Sequence, residues 1–228
     1  MLLITLYFST ETIYRMGYYT IKTPWLLKKL YPGCTWDMST KEKIIYFTFD
    51  DGPHPEATPF VLQTLAAYNA RATFFCIGKN VVEYPDIYKR IISEGHRVGN
   101  HTFNHLNGWK VSDKEYFQNI LLASNHIDSK IFRPPYGKIS AFQIRHLKDE
   151  PLKYKIIMWD VLSGDFDTSL TGEKCSFNVT RNARNGSIVV FHDSEKAFPR
   201  LRIALNECLG YFSEKGFRFE SIPGNMPF

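Results

Sequence analysis

Apolar residues along this chain fall into short continuous runs, separated by longer stretches in which they recur every three or four positions. The runs read as strands over 44–49, 72–77, 96–100, 131–133, 154–159, 187–191 and 217–220. The periodic stretches read as helices over 24–31, 58–68, 86–93, 112–127, 140–148, 172–182 and 197–215, the last with Leu201, Leu205, Leu209 and Phe212 on one stripe. Stops agree: Pro32-Gly33 closes the first helix, Gly95 follows the third, and Ser112 with Glu115 has capping-box spacing before the fourth. Continuous apolar strands alternating with amphipathic helices imply a parallel sheet covered by helices. Seven strands are too few for a complete eight-stranded barrel, which typically needs about 250 residues. The predicted fold class is therefore α/β, a distorted (β/α) barrel with about seven parallel strands. No repeat, low-complexity tract or linker divides the chain. Residues 1–42 read as an N-terminal extension with a short helix, and residues 43–222 as one domain.

Polar residues interrupt this pattern where the strands end. Thr48-Phe49-Asp50-Asp51-Gly52-Pro53 closes the first strand with two adjacent carboxylates. Two crowded acids are relieved by a cation, and a metal held by one would leave the other free as a base. His101 and His105 follow at i, i+4, so one helical turn would put both imidazoles on one face. One carboxylate and two imidazoles make a three-ligand site with room for water, the layout of a catalytic metal centre. Arg133-Pro134-Pro135-Tyr136-Gly137 ends another strand in a cation held by a stiff exit, and His192 ends the most apolar strand. Asp160 also follows a strand. In α/β sheets and barrels that edge is where active sites form. Each feature has a bland alternative: turn-forming aspartates, a surface histidine pair, a surface arginine, a core histidine bonded to a carbonyl. Their coincidence at one edge of one sheet favours function.

Bulk properties narrow the class. The 228 residues are 44% apolar and 22% charged, enough for one domain with a substantial core. The net charge of +5 is scattered, which indicates a solvated surface rather than a nucleic-acid-binding face. Cys34, Cys76, Cys175 and Cys208 form no C-x-x-C pair and are expected to be buried free thiols. The apolar run from Met1 to Phe8 is too short to span a bilayer and lacks a basic leader or cleavage site, so no transmembrane segment is expected and a cytoplasmic location is favoured. Residues 1–15 read either as a peripheral extension or as an over-called start.

Taken in order, Thr48 to Pro53, His101 to His105, Arg133 to Gly137, Trp159 to Phe166 and Val190 to His192 resemble the five motifs of the carbohydrate esterase 4, or NodB-homology, polysaccharide deacetylases. The resemblance covers roughly residues 43–222, and its first three motifs are specific in combination. It implies a NodB-like distorted barrel and metal-dependent removal of acetyl groups from N-acetylated sugars. Carried over residue by residue, Asp51, His101 and His105 would ligate a divalent metal, most often zinc, with cobalt, nickel or manganese as alternatives. Asp50 would be the general base, tuned by Arg133. His192 would be the general acid, held by Asp165, and the backbone N–H of Tyr136 would bind the oxyanion. The resemblance also implies an N-acetylated carbohydrate as partner, and the short loops between motifs suggest an open groove. Two motifs depart from the family pattern. Leu162 stands where the fourth motif usually has an acid, Phe166 replaces its tryptophan, and Val190 opens the fifth motif in place of leucine. Asp160 and Asp167 are nearby acids that could replace the missing one.

Overall fold

The computed structural model describes residues 19–224. The apolar run from Met1 to Phe8 and the rest of the stretch up to residue 15 lie outside the described residues. Within them the strands are β1 (Cys34–Thr35), β2 (Ile44–Asp50), β3 (Thr73–Cys76), β4 (Arg97–Asn100), β5 (Ile131–Phe132), β6 (Lys155–Ile157), β7 (Val161–Leu162), β8 (Ile188–His192) and β9 (Arg218–Phe219). The helices are α1 (Trp25–Leu30), α2 (Ala57–Ala67), α3 (Gly78–Glu83), α4 (Pro85–Ser93), α5 (Asp113–Ser124), α6 (Ala141–Lys148), α7 (Gly172–Asn182) and α8 (Phe198–Glu214). Eight strands form one sheet in the order β1-β6-β5-β4-β3-β2-β8-β7, every ladder parallel, and β9 adds to the start of β2. The sheet curls into a distorted barrel with helices around it. All seven predicted strands and all seven predicted helices are present, with ends shifted by up to three residues. The capping box forms fully at Ser140 and Gln143 of α6, while Ser112 only accepts from the Glu115 amide.

Side-chain alternation along β2 assigns its two faces. Ile45, Phe47 and Phe49 pack outward with Leu62 and Leu65 of α2 and Leu201, Leu205 and Leu209 of α8. Ile44 and Tyr46 face the interior with Phe75, Ile157 and Ile188. By the two-residue period, Thr48 and Asp50 continue the interior face. Parallel neighbours in register share a face, and Asp50 is in register with His192 of β8. The sheet therefore delivers both side chains to the same mouth of the barrel.

Residues 19–42, expected as an extension, are woven into the sheet. β1 pairs with β6, Asp37 bridges Ser187, and Lys22 bridges Val161 of β7. The barrel gap lies between edge strands β1 and β7, and residues 21–23 run antiparallel along it, with the Leu162 amide donating to Ile21 O at 2.8 Å and the Thr23 amide to Asp160 O at 2.9 Å. Asp160 fixes this strap. Its fully buried carboxylate accepts from Lys22 Nζ at 2.5 Å, Lys28 Nζ at 2.6 Å and Ser187 Oγ at 2.6 Å. Burial pushes the carboxyl up, and these three bonds outweigh it and bring it below the usual range. Asp160 thus has a structural role and is not part of the active edge. All four cysteines are free; Cys76, Cys175 and Cys208 are buried, and Cys34 is half-buried. No described helix is long and apolar enough to cross a membrane.

Candidate active site and metal centre

The chain leaves β2 at Asp50 and turns at Asp51, whose φ of 82° lies in the left-handed region. The turn is pinned from three sides: Asn80 Nδ2 donates to Asp51 O at 2.7 Å, the Ile77 amide to Gly52 O at 2.9 Å, and the Gly52 amide to Asp193 Oδ1 at 3.1 Å. A Cβ on Gly52 would lie 2.1 Å from Asp193 Oδ2, so only glycine fits there. This geometry turns two consecutive aspartates toward one cavity.

His101 and His105 are brought together by a different device from the expected one. Residues 101–105 form an irregular loop, with left-handed φ at Thr102 (64°) and His105 (57°). Side-chain carbonyls hold it: Asn100 Oδ1 accepts from the Thr102 amide at 2.8 Å, and Asn119 Oδ1 accepts from the Phe103 and Asn104 amides at 2.8 and 2.9 Å. With Asp51 and Tyr136 (60°), four of the six non-glycine residues of positive φ among the described residues belong to this site. Strain of that kind persists where the surroundings over-determine it, and it clusters at functional sites.

Asp51, His101 and His105 place one ligand atom each within 4.8 Å of one another. His101 Nδ1 lies 2.7 Å from Arg133 O, which can only accept, so Nδ1 carries the proton and Nε2 keeps its lone pair. Nε2 of His101 and of His105 lie 3.8 and 3.2 Å from Asp51 Oδ1, a buried oxygen with no hydrogen-bond donor. His105 Nδ1 is 3.1 Å from the Tyr136 hydroxyl. An orphaned carboxylate oxygen facing the His101 lone pair and Nε2 of His105 fits a divalent cation, and one oxygen with two nitrogens suits zinc and its first-row neighbours. Burial pushes Asp51 up, but the neighbouring imidazoles, His105 first and then His192 and His101, hold it below the usual carboxylate range. Burial lowers His101 to about 4, which keeps it neutral and able to ligate.

The remaining predicted residues flank this triad. Arg133 is fully buried, its Nη1 bonded at 2.7 Å to both Asp50 Oδ1 and Thr48 Oγ1. Its Nε and Nη2 donate to Ile157 O and Met158 O, and its guanidinium stacks on Phe75 with 4.1 Å to the ring centre. Nothing about this cation is free to move, so it fixes one oxygen of Asp50 and balances its charge. On the other side, Asp165 accepts at 2.8 Å from both the backbone amide and Nδ1 of His192. Burial pushes His192 down, but the Asp165 charge and hydrogen bond, helped by Asp51 and Asp50, raise it to about 9. His192 is therefore an imidazolium at neutral pH, with Nε2 free to give a proton. Asp50, Asp51, His101, His105, Tyr136 and His192 all line one cavity of about 540 Å³, whose walls include Leu162, Phe166 and Val190.

The acids suggested as replacements for Leu162 are committed elsewhere, Asp160 to the strap and Asp167 to Tyr19 Oη at 2.8 Å and to Ser169. Two contributors were missed from the sequence. Tyr19 walls the cavity from the strap, and Asp193 clamps the Asp50–Gly52 turn and Thr58 Oγ1. Asp193 had a signal, being the acid directly after the strand-ending His192. Tyr19 had none, because its partner is 148 positions away.

Comparison with known proteins agrees with this geometry. The polysaccharide deacetylase profile matches residues 37–154. A peptidoglycan-N-acetylglucosamine deacetylase of Bacillus cereus is 36% identical over 86% of this chain and 95% of its own length. A chitooligosaccharide deacetylase of Azorhizobium caulinodans is 35% identical over 68% of this chain and 76% of its own. The crystal structure of the Bc1960 peptidoglycan N-acetylglucosamine deacetylase superposes with a TM-score of 0.81 at 31% identity, over 88% of this chain and 95% of that one. The chain belongs to the polysaccharide deacetylase family, hydrolases that act on non-peptide carbon–nitrogen bonds.

Proposed function

We propose that this protein is a metal-dependent N-deacetylase of amino-sugar glycans, releasing acetate and a free amine from N-acetylglucosamine units. One observation carries the reading: an acid clamped by Arg133 and an imidazolium clamped by Asp165 stand in register on neighbouring strands and line the same cavity as the Asp51, His101 and His105 group. Amide hydrolysis needs that division, because the base must accept a proton while the acid still holds one. Asp51, His101 and His105 would hold the ion, with zinc as the proposed metal; when bound, it would polarise the acetamide carbonyl and make a nearby water more acidic.

Asp50 takes the proton of the attacking water, its free oxygen held in place by the Arg133 bond on the other. The N–H of Tyr136 donates to the developing oxyanion. His192 Nε2 then protonates the departing amine, which would otherwise be too basic to leave, and Asp165 stabilises the imidazolium until transfer. Val190 and Leu162 line the cavity as apolar wall for the acetyl methyl. The relatives named for peptidoglycan and for chitooligosaccharides support an amino-sugar substrate. The test is release of acetate and amine from N-acetylglucosamine oligomers by wild type and Asp50→Asn. The variant should lose at least about a hundredfold in kcat while still folding, with a lower thermal midpoint because buried Arg133 loses its counter-charge. Undiminished turnover would remove Asp50 from the mechanism.

A further inference from the structure

The catalytic cavity continues into a second hollow of about 400 Å³, and Tyr19, Tyr136, Trp159 and Leu162 line both, so the two form one depression. Tyr31, Trp36 and Trp109 supply its aromatic surface, and Thr20 and Thr23 line it with hydroxyls. Trp109 and Tyr136 leave 58% and 61% of their surface to solvent, large apolar faces uncovered beside an active site.

The hollow is built, not floppy. Gln143 Nε2 holds Gly108 O at 2.8 Å, fixing the loop that carries Trp109, and a Cβ on Gly108 would lie 2.6 Å from Lys138 O. Gly137, at φ 65°, lets Trp159 approach to where a Cβ would meet its ring at 2.6 Å. Among the described residues lining this hollow, Lys138 is the single charged one, its ammonium 4.4 Å from the Trp109 ring centre. Flat rings bordered by hydroxyls suit a pyranose, whose C–H face stacks while its hydroxyls bond at the edge. Among the described residues Lys138 makes no ion pair, and a cation so placed suits a sugar that carries an anion.

We infer that this hollow holds the sugar next to the one being deacetylated, and that Lys138 selects a neighbour bearing a carboxylate, such as the lactyl ether of a peptidoglycan muramyl unit. The inference rests on the amino-sugar deacetylase reading and deepens it. It separates two substrate classes, the alternating acidic glycan and the neutral N-acetylglucosamine polymer.

Three tetrasaccharides test it: chitotetraose, a peptide-free peptidoglycan tetrasaccharide with free lactyl carboxylates, and the same compound with those carboxylates amidated. Wild type should favour the free acid over the amide by about tenfold in kcat/KM, a preference that shrinks with added salt. Lys138→Met should bring that ratio close to one, and Lys138→Arg should keep most of it. Trp109→Ala should lower kcat/KM on all three by about tenfold or more, chiefly through KM. Equal use of acid and amide by wild type, or a ratio unchanged in Lys138→Met, overturns the inference. If no acetate were released from any glycan, the deacetylase reading would fail on its own. Calorimetric binding of the same compounds to Asp50→Asn would still decide the hollow: a preference for acid over amide that disappears with Lys138→Met supports it, and equal binding refutes it.

Discussion

Replacing Asp165 by asparagine keeps the shape of the residue beside His192 and removes its charge. His192 is raised from 6.5 to about 9, chiefly by that carboxylate working against burial, so the site as a whole favours the imidazolium by about 3 kcal/mol at about 1.4 kcal/mol per tenfold change. Without that charge, burial is opposed only by Asp51 and Asp50, and the pKa falls. At pH 7.5 the protonated fraction then drops from nearly all, and kcat/KM should fall by about tenfold. The sign follows from the acid role: activity is lost as pH rises through the His192 pKa. The alkaline limb should therefore move down from near 9 in the variant. The groups acting on this ring are Asp165, Asp51 and Asp50, and Lys196 lines the same cavity. A divalent cation at Asp51 would draw the wild-type limb down but leave the direction of the variant's shift unchanged. The same pair stabilises the fold fully below about pH 6.5 and loses that contribution as pH rises through about 9. The assay is kcat/KM on an N-acetylated tetrasaccharide across the pH range, with NMR titration of the His192 ring. An Asp165→Asn profile that keeps its alkaline limb would refute the argument.

Two further outcomes follow from the same geometry. Zinc added to chelator-treated protein should raise the thermal midpoint, because saturation at 100 times Kd stabilises by about 2.7 kcal/mol, and His101→Ala should abolish the rise; an equal rise in that variant would place the metal elsewhere. Gly52→Ala drives a Cβ to 2.1 Å from Asp193 Oδ2 and should cost about 1–3 kcal/mol in urea denaturation, whereas an unmoved midpoint would show that the Asp193 clamp is not rigid.

The sequence made most of the barrel legible because buried parallel strands must be continuously apolar, as β2 is from Ile44 to Phe49. What it did not show lacks a periodic signature. β1 and β7 are two residues each, and α3 is a six-residue helix begun by Gly78. The His101 and His105 spacing pointed to the right pair through the wrong local structure, because Asn119, far along the chain, supplies the carbonyl that bends the loop. Asp160 followed the same rule as Asp50 and His192, a polar residue after an apolar strand. Only the converging Lys22 and Lys28 reveal it as an anchor. Arg133 and Asp165 were legible as partners through the family resemblance, and the geometry places them 2.7 and 2.8 Å from the groups they were expected to hold.

The central claim is that one metal-bearing site cleaves the acetamide of an amino sugar. Its most direct test is the stoichiometry of acetate and free amine released from an N-acetylglucosamine oligomer by the chelated protein and after zinc is restored. Equal amounts of the two products, lost on chelation and recovered with metal, are the expected result. Acetate without amine, or turnover indifferent to the chelator, would contradict it.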